Sequence, residues 1–103
     1  DCQAAAVAAV RHMETTPAFN AGKGACMNAD GGFEADAGLM RSRDLNIGAV
    51  ASMPMLGNAI DAAALVLDAS RHHLLCGEAG ASWVRARGIG RTHWRSTGTW
   101  CTR

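Results

Sequence analysis

The segment from Asn46 to Met53 is the feature that most limits how this chain can fold. Its residues are almost all apolar, and Pro54 and Gly57 end it. An unbroken apolar run of this length is typical of a β-strand with cover on both faces, because a strand with one wet face alternates apolar and polar residues. We therefore expect residues 46–53 to form a strand inside a layered fold.

Helical patterns stand on both sides of this strand. Residues 2–14 are Ala-rich with apolar positions at helical spacing, and Pro17 predicts that the helix ends near that point. A second helix is predicted for residues 59–69, with Asn58 as its N-cap, and a third for residues 78–86. The spacing of the apolar side chains predicts three helices in all.

Two further strands are predicted before the apolar one. Residues 33–40 alternate, so the carboxylates of Glu34 and Asp36 share one face and the apolar side chains share the other. A short strand at residues 25–28 would pair with them across a glycine turn. The resulting class is α+β, with about three strands and flanking helices, and the free sheet edges indicate part of a larger assembly.

Composition excludes several classes of function. The formal net charge is +1, so no basic excess favours nucleic acid, and no run approaches the roughly 20 apolar residues that span a bilayer. The four cysteines form no Cys-x-x-Cys pair and no secretory signal precedes them, which favours reduced thiols and a cytoplasmic location. The chain opens on Asp1 within a helical pattern, so we expect a missing N-terminal segment.

Four motifs carry possible chemistry. Glu34 and Asp36 could divide acid and base roles, although a solvated strand face is the simpler interpretation. The adjacent His72 and His73 point in different directions and match no zinc spacing. The Gly22-Lys-Gly24 segment lacks the full phosphate-loop pattern. Gly98-Thr99 could release an N-terminal Thr, whose hydroxyl would be the nucleophile and whose amine the base.

The middle of the chain resembles the α-chain of plant-type asparaginases and isoaspartyl peptidases. The similar blocks occur in family order and at family-like spacing: Thr16-Pro-Ala-Phe-Asn-Ala-Gly-Lys-Gly24, Asn28-Ala-Asp-Gly31, Glu34-Ala-Asp-Ala37, Leu45-Asn-Ile-Gly-Ala-Val-Ala51 and Leu74-Leu-Cys-Gly-Glu-Ala-Gly80. We assign residues 1–88 to such an α-chain segment and residues 89–103 to an atypical tail, truncated or frame-shifted.

This resemblance implies an N-terminal-nucleophile hydrolase with a four-layer αββα sandwich, of which the chain would form a part. Such a precursor cleaves itself before a Thr, which then attacks the side-chain amide of Asn or a β-linked isoaspartyl bond. Asn20 would help to hold that nucleophile. No organic cofactor is implied, but a structural sodium ion is, bound by the main-chain carbonyls of Met13, Glu14, Thr16, Phe19, Ala21 and Lys23.

The chain also departs from the family pattern. Arg41-Ser42 stands where the family has Asp-Gly, and Thr99 is followed by Trp-Cys-Thr-Arg rather than an apolar strand. Thr99 would then be a relic of the cleavage point. By the same resemblance, we expect the β-chain, which should carry the nucleophile and the substrate-binding groups, to be missing from this chain.

The sequence therefore predicts a fragment of a β-aspartyl amidohydrolase that catalyses nothing alone. Its expected partner is the β-chain of the same precursor, within a family-like dimer of αβ units, and neither nucleic acid nor a membrane is an expected partner. Two alternatives stay open at this point: a fragment of a taspase-like threonine endopeptidase, and a non-catalytic pseudo-subunit that pairs with a full-length protein.

Overall fold

A computed structural model describes residues 1–54 and 57–90. Within them the chain forms three α-helices and a three-stranded mixed sheet, which confirms the α+β class and is compatible with part of an αββα sandwich. In chain order the elements are α1 (Cys2–Thr15), a 3-10 turn (Gly22–Gly24), β1 (Glu34–Arg41), β2 (Asn46–Pro54), α2 (Ala59–Ala69), β3 (Leu74–Cys76) and α3 (Gly77–Arg85).

The sheet has the order β1-β2-β3, with β2 in the centre. β1 pairs with β2 in antiparallel fashion, and β3 joins the other edge of β2 in parallel. The strand predicted at residues 25–28 is wrong, because no strand forms there, and the hairpin consists of β1 and β2 instead. The parallel partner Leu74–Cys76 was not predicted.

Both α2 and α3 pack on one face of this sheet, and α1 packs against α2. Gly48 in β2 permits the close approach of α2, since a Cβ there would lie 2.6 Å from the Cβ of Leu67 and also collide with the backbone of that helix. Gly80 in α3 has the same function towards Met53 and Leu75. The buried core between these layers contains Val50, Met53, Ile60, Ala63, Val66, Ala81 and Val84.

The opposite face of the sheet has no covering layer among the described residues. Met40 and Ile47, which face each other in the register of β1 and β2, are 60% and 41% exposed. Leu74 on β3 is 55% exposed and lies opposite Ala49. This set of side chains, which we call the open sheet face, is apolar although it lies at the surface.

A β-bulge bends β2 near its end. Ala35 pairs with Met53 and Ala37 with Val50, so Asp36 lies opposite two residues of β2 rather than one. Ser52 takes up the extra length with φ of 49°, a left-handed conformation that is rare for a residue with a side chain. The Asp36 carboxylate accepts a hydrogen bond from the Ser52 N–H at 2.7 Å, which holds the bulge in place.

Candidate functional site

The loop between α1 and β1 carries the block of sequence that most closely resembles a known family. α1 ends at Thr15, and Pro17, which has no N–H, cannot donate the next helical hydrogen bond to the carbonyl of Met13. The chain then turns through Gly22, whose φ is 53°, into the short 3-10 turn. Gly24 lies so close to the carbonyl oxygens of Pro17 and Phe19 that no side chain fits there.

Asn20 is fixed in the middle of this loop by its own side chain. Its Oδ1 accepts a hydrogen bond from the Cys26 N–H at 2.9 Å, so the side chain bridges the loop from one arm to the other. Within residues 1–54 and 57–90 no hydrogen bond from Nδ2 of Asn20 is found, so the two N–H groups of that amide can serve another group. The residue lines a cleft of about 380 Å³ between the loop and the start of β1.

Glu14 lies at the wall of the same cleft and is the buried charged residue of the described chain, with 3% of its surface exposed. Its Oε1 accepts the Ile60 N–H at 3.0 Å and its Oε2 accepts from Nδ2 of Asn58 at 3.0 Å. Desolvation by burial raises the pKa of Glu14, and the hydrogen bonds from Asn58 and Ile60 partly oppose the rise. Asn58 holds the predicted N-cap position of α2, but its side chain does not cap the helix.

The main-chain carbonyls that were predicted to bind sodium lie at the end of α1 and in this loop. Two of the expected carbonyl ligands already accept backbone hydrogen bonds, Thr16 from Phe19 and Ala21 from Gly24. The Met13 carbonyl lacks its helical donor because of Pro17. The Phe19 carbonyl converges with that of Pro17 on the space beside Gly24. An all-oxygen set of neutral carbonyls suits a hard monovalent cation, so the donor chemistry of the loop fits the ion.

The other motifs that the sequence offered have structural roles or none. The carboxylates of Glu34 and Asp36 do share one exposed strand face, and Asp36 holds the bulge. His72 and His73 are exposed, and His73 contacts the carbonyl of Ile47 through Nδ1. Within residues 1–54 and 57–90 no group of three or more His, Cys, Asp or Glu side chains could hold a metal ion.

Arg41, at a position where the family resemblance predicts an acidic residue, connects three elements. It forms a bidentate ion pair with Asp44 in the β1–β2 turn, and its Nη1 donates to Asp68 at the end of α2 and to Gln3 in α1. The hydrogen bond from Arg41 lowers the pKa of Asp44 to about 2. Arg41 therefore links the end of the hairpin to α1 and α2.

Thr99, the candidate nucleophile, lies outside the described residues. Of the remaining predicted residues, the structure brings Asn20, Ala21 and Glu14 together around one cleft. Sequence reasoning assigned to Glu14 only its carbonyl and missed its buried carboxylate. The available signal was a lone acidic residue at the last turn of a helix, just before a Pro-containing loop, where a charge would otherwise be solvated.

Comparison with known proteins gives a consistent result. A family model described as asparaginase matches residues 1–100. The isoaspartyl peptidase/L-asparaginase of Danio rerio is 39% identical over 85 residues, which is 82% of this chain and 27% of that protein. The protein of the same name from Rattus norvegicus is 38% identical over 84 residues, 82% of this chain and 25% of its own length. The plant-type L-asparaginase of Thermococcus kodakarensis is 40% identical over 81 residues, 79% of this chain and 26% of its own.

The chain thus spans about a quarter of the length of the curated relatives that it matches. None of the helices in the described residues is long and apolar enough to cross a membrane.

Proposed function

Because the chain belongs to the asparaginase family, we propose that it supplies the α-chain part of a hydrolase that cleaves β-aspartyl amides. The substrate would be the side-chain amide of free Asn, which yields aspartate and ammonia with one water, or the β-linked bond of an isoaspartyl dipeptide. The relatives are an isoaspartyl peptidase/L-asparaginase and a plant-type L-asparaginase, which supports both substrates and favours this activity over a taspase-like endopeptidase.

The observation that carries the proposal is the placement of Asn20. A side-chain amide that is fixed through its oxygen and has a free N–H donor is suited to hold a hydroxyl nucleophile or a developing negative charge. Asn20 has this arrangement, with Oδ1 bound to the Cys26 N–H and with its side chain at an open cleft. The role of Asn20 is to orient the reacting group, and the nucleophile comes from elsewhere.

The nucleophile is a Thr exposed by autocleavage. Thr99 serves as that residue if the precursor is cut between Gly98 and Thr99, and otherwise a β-chain encoded beyond this sequence provides it. N-terminal sequencing of the mature protein distinguishes the two: a fragment that begins at Thr99 supports the first source, and one that begins at a later Thr supports the second.

The open sheet face supports a β-chain partner. Met40, Ile47 and Leu74 together expose an apolar surface that a second sheet would bury at the usual sheet-to-sheet distance of about 10 Å. The two sheets would form the inner layers of the αββα sandwich, with α2 and α3 outside. We extend the proposal to an αβ unit and to a dimer of such units, located in the cytoplasm.

A sodium ion held by the carbonyls of Met13, Glu14, Thr16, Phe19, Ala21 and Lys23 completes the proposal. The ion would offset the repulsion between carbonyl dipoles that point into one loop, and would so keep Asn20 at its place. Replacement of sodium by N-methyl-D-glucamine at equal ionic strength should lower the melting temperature of the full protein. An unchanged melting temperature would remove the ion from the proposal and leave the hydrolase assignment intact.

A chimaera tests the function directly. The stretch of this chain that matches the Danio rerio relative replaces its counterpart there, and autocleavage is followed on gels while ammonia release from L-asparagine is measured. We expect cleavage and hydrolysis with the chimaera. Its Asn20→Ala variant should lose about 100-fold or more in kcat, as removal of a positioned charge-stabilising donor does.

Asn46→Ala is the matched control, because Asn46 lies at the far end of β2 and outside the cleft. It should keep the activity of the chimaera. A chimaera that folds as a dimer but neither cleaves itself nor releases ammonia would refute the hydrolase and favour the pseudo-subunit.

A further inference from the structure

We propose that the side chain of Glu14 is a positioning residue, which ties the N-terminus of α2 to the loop that carries Asn20. The role rests on the proposed function only in that Asn20 is the residue it positions. Glu14 was expected to contribute its carbonyl alone, and nothing in the similarity to known proteins assigns a role to its carboxylate.

The geometry of Glu14 is that of a helix cap supplied from a distant part of the chain. The first N–H groups of an α-helix have no acceptor within the helix, and the side chain of Asn58 at the N-cap position of α2 accepts from none of them, although its carbonyl accepts from the Asp61 N–H. The carboxylate of Glu14 accepts from the Ile60 N–H instead, and it accepts from Asn58 with its other oxygen. A negative charge at this end of a helix is also favoured by the helix dipole.

Burial makes these contacts exclusive. Glu14 has almost no contact with water, so each of its oxygens needs a partner within the protein, and both partners belong to the start of α2. The charged groups nearby are the exposed pair Arg11–Asp61 and, across the cleft, Glu34 and Asp36. The carboxylate therefore has one arrangement available, and the end of α1 is fixed with it.

The loop that carries Asn20 begins directly after α1, which ends at Thr15, one residue beyond Glu14. Thr16 still bonds back to the carbonyl of His12, and Pro17 follows directly, so little freedom remains between the fixed helix end and Asn20. The far arm of the loop is held by Asn20 itself through the Cys26 N–H. Loss of the hydrogen bonds between Glu14 and α2 should thus loosen the part of the loop before Asn20 and weaken the hydrogen bond from the Cys26 N–H to Asn20.

Residue-resolved amide hydrogen exchange on the full protein, at one sodium concentration, tests this inference. Glu14→Leu keeps the size of the side chain and removes both acceptors. It should speed exchange at Ile60 and Cys26 by about tenfold or more, while the amides in the centre of β2 keep their rates. Glu14→Gln retains an acceptor for the Ile60 N–H, and its NH2 group can donate to Oδ1 of Asn58 once that amide rotates, so both links to α2 persist and the rates should stay within about threefold of the parent values.

Asp61→Asn is the matched control, since it breaks an exposed ion pair that joins the same two helices. It should leave Cys26 unchanged. Asn58→Ala removes one of the two donors to Glu14 and should raise the rate at Cys26 several-fold, which decides the matter if the Leu variant does not fold.

Three results would overturn the inference: equal acceleration of every amide, acceleration at Ile60 without Cys26, or equal effects of Gln and Leu. Because exchange is measured without substrate, a protein that hydrolyses nothing would refute the proposed function and leave this test unaffected.

Discussion

Strand β2 and helix α2 pack tightly at Gly48, and substitution by alanine tests this contact. The new Cβ would lie 2.6 Å from the Cβ of Leu67 and closer still to the carbonyl oxygen of Ala63 and the nitrogen of Leu67. Ordinary contacts begin at 3.4 Å. Since two of the three atoms belong to the backbone, no rotamer change relieves the collision, and α2 itself must move away from the sheet.

The loss of stability on Gly48→Ala follows from the core contacts that a displaced α2 would lose. α2 carries Ile60, Ala63 and Val66, which are among the most buried residues of the core, so a displaced helix loses contacts along its length. Overpacking of this kind costs about 1–3 kcal/mol, and a backbone collision belongs at the upper end of that range. For a chain of this size about 2–3 kcal/mol lowers the melting temperature by roughly 10 °C or more.

Thermal and urea unfolding of the full protein, followed by circular dichroism, measure the effect. Gly38→Ala in the neighbouring strand is the matched control, because its Cβ would meet only the Cβ of Ala49 at an ordinary 3.9 Å. That variant should be neutral or up to about 0.5 kcal/mol more stable. Equal melting temperatures for the two variants would refute the tight β2–α2 contact.

Three further substitutions have defined outcomes. Leu45→Asn should raise the free energy of unfolding by about 1 kcal/mol in urea titrations, since Leu45 is exposed with φ of 55° and Asn tolerates that conformation; no gain would argue against a left-handed residue there. Asp44 has its pKa lowered from 3.8 to about 2, so its stabilising effect is present above pH 4 and lost as pH falls through about 2. Asp44→Asn should weaken the dependence of the melting temperature on pH between about pH 4 and pH 2. An unchanged pH dependence would show that the Arg41–Asp44 ion pair does not form. Gly24→Ala should cost about 1–3 kcal/mol, because a Cβ collides with the carbonyls of Pro17 and Phe19, and unchanged melting would contradict the loop geometry.

Local periodicity was enough to predict the long elements. The helix expected at residues 59–69 spans those residues, and β1 and β2 lie within one residue of their expected bounds. Their signals are strong because α2 repeats its apolar positions at helical spacing, β1 alternates along its length, and β2 is a continuous apolar run bounded by Pro54 and Gly57. The alternation of β1 between buried and exposed positions also follows the prediction.

The features that the sequence analysis predicted wrongly or missed depend on side-chain hydrogen bonds or on contacts between distant parts of the chain. Residues 25–28 form no strand, and two of their N–H groups have other partners: that of Cys26 donates to the Asn20 side chain and that of Asn28 to the carbonyl of Gly32. The strand Leu74–Cys76 has only three residues, and its parallel pairing with β2 is a long-range contact that no local pattern announces. The hydrogen bonds between Glu14 and the start of α2 were not predicted for the same reason, because their partners, Asn58 and Ile60, lie 44 and 46 positions further along the chain.

The apolar run of β2 has a physical explanation in two parts. Val50 and Met53 face α2 and α3 and are almost fully buried, which accounts for one set of alternate positions. Ile47, on the other face, meets Met40 rather than a covering layer. Selection for folding of this single sheet would place polar residues on that face, as an antiparallel sheet open to water carries them. Met40 and Ile47 are therefore the residues that the β-chain sheet of the proposed function would cover, beside the exposed carboxylates of Glu34 and Asp36 on the same strand face.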